Sequence, residues 1–256
     1  MGIRPVEAAF ATSLLARRLA EVATLSDYER DLILHLKLHF HTYCADTTIT
    51  DSQSEWISPN LIVSGWACRE RLLPNGRRGL LSILLPGDVI GNCREKRALD
   101  MVEVSAISDV QIACLSPLMR LIEAEPSRCG GIIDGLSALR FREERRLLDH
   151  MVRLGLQTAP QRTASLLLEL FQRCREIGFV TGGSFLMPLT QEMLGDALGM
   201  SVVHVNRVIR ELRIRHLLYL HSGIAEIEDV AGLASAAGFE PSEVCDPIPL
   251  QHKRFA

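Results

Sequence analysis

The chain has 256 residues, 47% hydrophobic and 23% charged, so it can bury a real core and divide into two compact units. Its 28 basic and 31 acidic side chains give a formal net charge of -3, which argues against a polycationic protein that coats nucleic acid indiscriminately. No apolar run approaches the roughly 20 residues that span a bilayer, and no secretory signal is evident. We therefore expect a cytoplasmic protein without a membrane partner.

The first 115 residues combine a helical lead with short β segments. Residues 5–23 predict an amphipathic helix, and a capping box that begins at Ser26 predicts a second helix through about residue 38. Between residues 40 and 115, segments of β-forming residues alternate with turn clusters such as Pro86-Gly87-Asp88. This spacing is typical of a sandwich or roll and not of alternating βαβ units.

A long helix is predicted next, from about residue 132 to residue 154. Its apolar positions recur at threes and fours, so it presents an apolar stripe. About 23 residues exceed what a small roll can cover, which favours self-association through the stripe over packing on the roll alone. The predicted dimer interface consists of Ile133, Leu136, Leu147, Met151 and Leu154.

The most specific pattern lies in residues 190–227, after a predicted hinge at residues 155–158. Thr190 can cap a helix through residue 198, Gly199 supplies a tight turn, and Ser201 can cap a second helix to about residue 216. Two short helices joined by such a turn form a helix-turn-helix. Residues 217–220 and 224–227 predict a hairpin that would serve as a wing.

The second helix of this motif carries four arginines and one acid between residues 201 and 216, a local formal charge of +3. That charge suits a groove lined with phosphates, and arginine can reach guanine O6 and N7 together. The alternative is a structural helical hairpin whose arginines form a solvated face. A buried stripe at Val205, Val208, Ile209 and Leu212 would leave five residues outward or at its margin: Val203, His204, Asn206, Arg207 and Arg210.

Three stretches resemble the Crp/Fnr family of bacterial transcription regulators: residues 189–201 (LTQEMLGDALGMS), residues 203–208 (VHVNRV) and residues 84–88 (LLPGD). The resemblance implies an α+β fold in three parts. Residues 1–129 would form a cyclic-nucleotide-binding-like sensor domain, a double-stranded β-helix or jelly roll with a helical lead. Residues 130–154 would form the dimerisation helix, and residues 155–256 a winged helix-turn-helix domain.

The same resemblance implies a homodimer that places two recognition helices on a two-fold-related site in double-stranded DNA. Ser201 would meet a phosphate, Val203 and His204 would contact base edges, and Arg207 matches the family's recurrent arginine. Thr190 and Gln191 would lie where the first helix crosses the DNA backbone. Arg210, which faces outward, completes the predicted DNA-binding set. RNA polymerase is the expected further partner if the protein is an activator.

The stretch where family members hold a cyclic nucleotide differs here from the nucleotide-responsive pattern. Nucleotide-responsive members hold cyclic AMP with a Gly-Glu-Leu turn and a later Arg-Ser or Arg-Thr pair. Here residues 91–93 are Gly-Asn-Cys, and Glu103 stands near the expected phosphate, so cyclic AMP is disfavoured. Another anion could bind Arg94, Lys96 and Arg97, although a solvated loop is the simpler interpretation.

The spacing of histidines and cysteines bears on whether the chain could hold an iron–sulfur cluster, haem or a metal. The seven cysteines are scattered without Cys-x-x-Cys spacing and form no N-terminal cluster, which disfavours an iron–sulfur cluster. His35 and His39, spaced i, i+4 near His41 and Cys44, could share a helix face and bind haem or a metal, although such pairs are more often incidental. A cysteine that senses redox state must form its thiolate readily, so burial and neighbouring charges decide which of the seven could do so.

A cupin-like metal-binding enzyme that uses the β-roll is the competing function class, because His39 and His41 have His-x-His spacing. The cupin pattern also requires a glutamate a few residues after the second histidine, yet the first acid after His41 is Asp46 and the first glutamate is Glu55. No phosphate-binding glycine loop or nucleophile motif is present. We therefore expect a regulator and no catalytic residues.

Overall fold

The computed structural model describes residues 5–50, 59–74, 76, 78–91 and 102–238. The chain divides into two compact units, Met1–Asp149 and His150–Ala256. The three-part division at residues 129/130 and 154/155 remains a prediction. Within the described residues, no helix is both long and apolar enough to cross a membrane.

Among the described residues, the first unit contains two antiparallel sheets of four strands each. Two helices precede the strands, and a helix, a 3-10 turn (Pro126–Arg128) and most of a long helix follow them. The elements are α1 (Pro5–Ala20), α2 (Asp27–Leu34), β1 (His39–Tyr43), β2 (Thr48–Thr50), β3 (Asn60–Ser64), β4 (Ala67–Leu72), β5 (Arg78–Leu84), β6 (Val89–Ile90), β7 (Glu103–Ala106), β8 (Val110–Cys114), α3 (Ser116–Ala124) and α4 (Gly130–Leu156), whose last seven residues belong to the second unit. The strand orders in the two sheets are β1-β8-β3-β6 and β2-β7-β4-β5.

Strand β3 shows why this sequence forms a two-layered roll. Successive side chains of a strand point to opposite faces. Leu61 and Val63 join a core cluster that the first sheet shares with helices α1 to α4. Ile62 between them joins a second cluster, which lies between the two sheets and includes Val104 and Ile112. Each such aliphatic side chain contributes about 1.5–3 kcal/mol when fully buried. The predicted β-roll is confirmed.

One boundary in the helical lead was predicted wrongly. The second helix ends at Leu34 instead of continuing to residue 38, and residues 39–43 form strand β1. Strand β1 pairs along its whole length with β8, from His39 opposite Cys114 to Tyr43 opposite Val110. This long-range pairing fixes the extended backbone, and no local pattern of residues 35–43 reports it.

Helix α4 begins two residues before the start at about residue 132 that the periodicity predicts, and it ends two residues after the predicted end at residue 154. It covers 27 residues, Gly130–Leu156, so Gly155 is helical and does not form a hinge. The break comes at residues 157–158, where Thr158 starts the capping box of the next helix.

The second unit contains α5 (Ala159–Glu176), β9 (Ser184–Leu186), α6 (Gln191–Leu198), α7 (Val202–Ile214), β10 (Leu218–His221), β11 (Ile224–Ile227) and α8 (Val230–Ala237). Its three strands form one antiparallel sheet in the order β10-β11-β9. Helix α8 was not predicted. Asp229 caps it, and its apolar side chains Leu233, Ala234 and Ala237 are buried.

Candidate nucleic-acid interface

Helices α6 and α7 form the predicted helix-turn-helix, and each begins with a side-chain cap. The Thr190 hydroxyl oxygen accepts a hydrogen bond from the Met193 backbone N–H at 3.1 Å. The Ser201 hydroxyl oxygen accepts one from the His204 backbone N–H at 3.3 Å. Since both hydroxyls act here as acceptors, each retains its proton and can donate it to a phosphate oxygen.

The turn between the two helices depends on two glycines. Gly199 ends α6 in the left-handed region, with φ of 64°. At Gly195 a Cβ would come within 2.7 Å of the Met200 carbonyl oxygen, a backbone atom that cannot move aside. This close approach lets the chain reverse in three residues and fixes the angle between α6 and α7.

Helix α7 is held by one buried face. Val205, Val208 and Leu212 are buried, as predicted, while Ile209 is half-buried. The spacing of three and four residues places these side chains on one side of the helix.

The opposite face of α7 carries the side chains predicted to contact DNA. Val203 is 80% exposed, Arg207 and Arg210 are exposed, and His204 is half-buried at the margin. Asn206, which the predicted site did not include, is exposed beside them. Positions 203, 206, 207 and 210 are related by three, four and seven residues, so they form one surface. We call this surface, together with His204, the reading face.

The charge of the reading face is not neutralised within the described residues. None of their carboxylates lies within ion-pair distance of Arg207, Arg210 or Arg213. The Arg207 guanidinium instead contacts a histidine, with Nη2 3.1 Å from Nε2 of His204. Thr190 and Gln191 are exposed at the start of α6, so all seven residues of the predicted DNA-binding set are at least partly accessible.

The predicted wing is the hairpin of β10 and β11. Its turn places Ser222 and Gly223 at φ of 48° and 74°, the two positive values that a tight hairpin turn of this kind requires. His221, Ser222 and Gly223 are all exposed. Strand β9 pairs with β11, so the hairpin is part of a three-stranded sheet.

The residues predicted to form the dimer interface on α4 differ in their surroundings. Leu136 packs against the core of the first unit, and Leu147 is half-buried. Ile133, Met151 and Leu154 are exposed, and Met151 is the most exposed of the three at 67%. The predicted interface omits four further exposed apolar side chains on this helix: Phe141, Leu148, Val152 and Leu156. Their spacing of seven, four and four residues was the available signal, but Phe141 stands inside a charged run.

A cavity of about 470 Å³ lies in the first unit, between the Gly87-Asp88-Val89 turn and the middle of α4. Ion pairs cross it: Arg69 donates to Glu143 at 2.8 Å, and Arg146 donates to Asp88 at 3.4 Å.

The charged residues considered for binding a nucleotide or another anion lie elsewhere in the chain. Glu103, on β7, accepts a hydrogen bond from the Thr48 hydroxyl at 2.9 Å. Arg94, Lys96 and Arg97 are outside the described residues, so their predicted anion contact remains a prediction.

The histidine pair considered for haem or a metal does not share a helix face. His35 ends α2, with its Nδ1 2.8 Å from the Asp31 carbonyl oxygen, whereas His39 begins strand β1. The i, i+4 argument is therefore wrong, because the helix ends between the two residues. In the part of the chain that the structure describes, no group of three or more His, Cys, Asp or Glu side chains could hold a metal ion.

Two of the described cysteines form the thiolate less readily than a free cysteine does. Burial, together with the nearby Glu70 carboxylate, raises the pKa of the Cys68 thiol to about 12. Burial also raises the pKa of Cys129, and the Glu29 carboxylate acts in the same direction. Since the thiolate is the reactive form, these two residues are poor redox sensors at neutral pH.

Comparisons with known proteins agree with this geometry. A family model described as a Crp-like helix-turn-helix domain matches residues 161–236. The chain is 26% identical to the nitrogen fixation regulation protein FixK of Bradyrhizobium diazoefficiens, over 85% of this chain and 87% of that protein. It is 30% identical to a CRP-like cAMP-activated global transcriptional regulator of Mycobacterium tuberculosis, over 69% and 78% of the two chains. The structure of FixK2 from Bradyrhizobium japonicum superposes with a TM-score of 0.67 at 24% identity, covering 78% of this chain and 98% of that one.

Proposed function

The chain belongs to the Crp/Fnr family of transcription regulators, and from this premise we propose that it binds a two-fold-related site in double-stranded DNA as a homodimer. Each α7 would enter a major groove, and the two grooves would lie one helical turn apart. The family relationship does not favour the cupin-like enzyme, and we propose no catalytic role. The proposed location is the cytoplasm, where a regulator can reach the bacterial chromosome.

The observation that carries the proposal is the reading face of α7. It presents an exposed valine, two exposed arginines and an exposed asparagine above a helix that three buried side chains hold in place. Valine can contact a thymine methyl group, whereas arginine can donate to guanine O6 and N7. The capping hydroxyls of Thr190 and Ser201 would donate to phosphates on either side and so fix the register of the helix on the DNA.

A selection of genomic fragments with the purified protein tests this proposal. The wild type should enrich a motif with two-fold symmetry. Arg207→Ala should bind that motif about 5- to 150-fold more weakly, because a bidentate arginine–guanine contact contributes roughly 1–3 kcal/mol. Arg120→Ala, which removes an exposed arginine from α3, is the matched control and should bind normally. Enrichment of no symmetric motif, or equal binding by Arg207→Ala, would contradict the proposal.

RNA polymerase is the proposed further partner if the regulator activates transcription. Transcription in vitro from a template that carries the selected motif upstream of a promoter separates activation from repression. The same assay can identify an effector of the first unit, because a metabolite that acts on the regulator would change the transcript yield when it is added.

A further inference from the structure

His204 and Arg207 form a hydrogen-bonded pair on the reading face. We infer that His204 is a positioning residue, which holds the Arg207 guanidinium in place for one guanine and does not itself contact a base. This inference rests on the proposed DNA-binding function and assigns His204 a different role from the base contact that the family resemblance implies.

The geometry of the pair determines which atom donates. A guanidinium has N–H donors and no acceptor, so Nη2 of Arg207 must donate to Nε2 of His204 across the 3.1 Å that separates them. The imidazole is then neutral and carries its proton on Nδ1. Residues 204 and 207 are one helical turn apart, the spacing at which side chains on a helix meet.

The histidine is the more constrained partner of the two. Its side chain is half-buried, whereas that of Arg207 is exposed. Its backbone N–H is bound by the Ser201 hydroxyl, which fixes the first turn of α7. A long arginine side chain otherwise samples many rotamers in solution and loses that freedom on binding DNA. The hydrogen bond to a fixed imidazole reduces this loss before DNA arrives.

Arg207 retains the donors that guanine recognition needs. A guanidinium has five N–H groups, and the bond to His204 uses one. Two of the remaining four are enough for guanine O6 and N7. His204, by contrast, has its outer nitrogen committed to Arg207, and its remaining N–H is on Nδ1, the ring nitrogen nearer the helix backbone. It therefore lacks a free polar atom at the tip that would enter the groove.

The test measures affinity and base preference for variants at both positions. Symmetric DNA from the wild-type selection is compared with DNA that carries one changed base pair at a time. His204→Ala should weaken binding roughly two- to twelvefold, the range expected for freeing one rotamer-rich side chain. It should reduce discrimination at the same guanine that Arg207→Ala affects. In the Arg207→Ala background, His204→Ala should have no further effect, because nothing is left to position.

Two conservative variants provide the matched comparison. His204→Gln places an amide oxygen near the position of Nε2 and should restore most of the affinity and discrimination, whereas His204→Asn places its amide near Nδ1 and should not. Nitrogen NMR of the free protein should find His204 as the Nδ1–H tautomer. Thermal unfolding of each variant shows that it is folded.

Several results would overturn the inference. Additive effects of His204→Ala and Arg207→Ala, or a changed preference at a different base pair, would mean that His204 reads DNA itself. Unchanged binding by His204→Ala, or an Nε2–H tautomer, would show that the pair does not position the guanidinium. In all these cases the wild type still selects a motif, so the proposed function survives. A wild type that enriches no symmetric motif would overturn both.

Discussion

Glu29 illustrates how one side chain can serve two helices. Its carboxylate accepts hydrogen bonds from the backbone N–H and the hydroxyl of Ser26, each at 2.8 Å, and so completes the capping box of α2. It also accepts from the Ile132 backbone N–H at 3.1 Å, in the first turn of α4. The capping box was predicted from the sequence and is confirmed. The bond to Ile132 joins residues 103 positions apart, so it follows only from tertiary packing.

These contacts predict a pH-dependent contribution of Glu29 to stability. Burial raises the pKa of Glu29, but the hydrogen bonds from Ser26, Ile132 and Gly131 outweigh burial and lower the pKa below its usual value. A carboxylate with a lowered pKa stabilises the fold above its unfolded-state pKa, and that stabilisation is lost as the pH falls through the folded-state pKa. Glu29→Gln should therefore cost about 1–3 kcal/mol at pH 7 and less in acid.

Urea unfolding followed by tryptophan fluorescence measures this difference, since Trp66 is buried in the first unit. Glu123→Gln, at an exposed position on α3, is the control and should change stability little at any pH. A loss for Glu29→Gln that is the same at pH 7 and pH 4 would show that its charge is not what stabilises α4.

At the scale of an element, α4 presents an exposed apolar surface. Phe141, Leu148, Met151 and Val152 are all at least half exposed, and seven residues separate the first two. A helix of 27 residues is about 40 Å long, enough for two copies to pair over several turns. The sequence predicted self-association here through a stripe that includes Leu136 and Leu147, which are half-buried. Apolar spacing along a helix does not show which side of the helix packs on the roll, so the sequence could not separate these two residues from the exposed ones.

Replacing the exposed side chains should therefore separate the proposed dimer. Leu148→Asp combined with Met151→Asp should give a mass near 28.4 kDa by light scattering, instead of about twice that value, because two carboxylates per copy would be buried unpaired. Leu72→Asp, which charges an equally exposed leucine at the end of β4, should remain a dimer. An unchanged mass for the α4 variant would place the interface elsewhere on the chain.

At the scale of the whole molecule, the net charge of -3 is unevenly distributed along the chain. Residues 155–222 hold seven basic and five acidic side chains, a formal charge of +2, whereas residues 223–256 hold two and six, a formal charge of -4. Helix α7 carries three of these basic side chains and one of the acids, a formal charge of +2 that equals the excess of the whole range. Affinity for arbitrary DNA should be modest, and binding should rely on two reading faces acting together.

This dependence predicts that the spacing between half-sites controls affinity. Two reading faces fixed by one dimer can meet successive major grooves only when the half-site centres lie about one helical turn apart. Five base pairs inserted at the centre of the selected motif turn one half-site to the opposite side of the duplex. Affinity measured by fluorescence anisotropy should then fall to that of an isolated half-site, whereas the same insertion outside the motif should change nothing. If the centrally interrupted DNA binds as tightly as the intact motif, each half-site is read by an independent monomer.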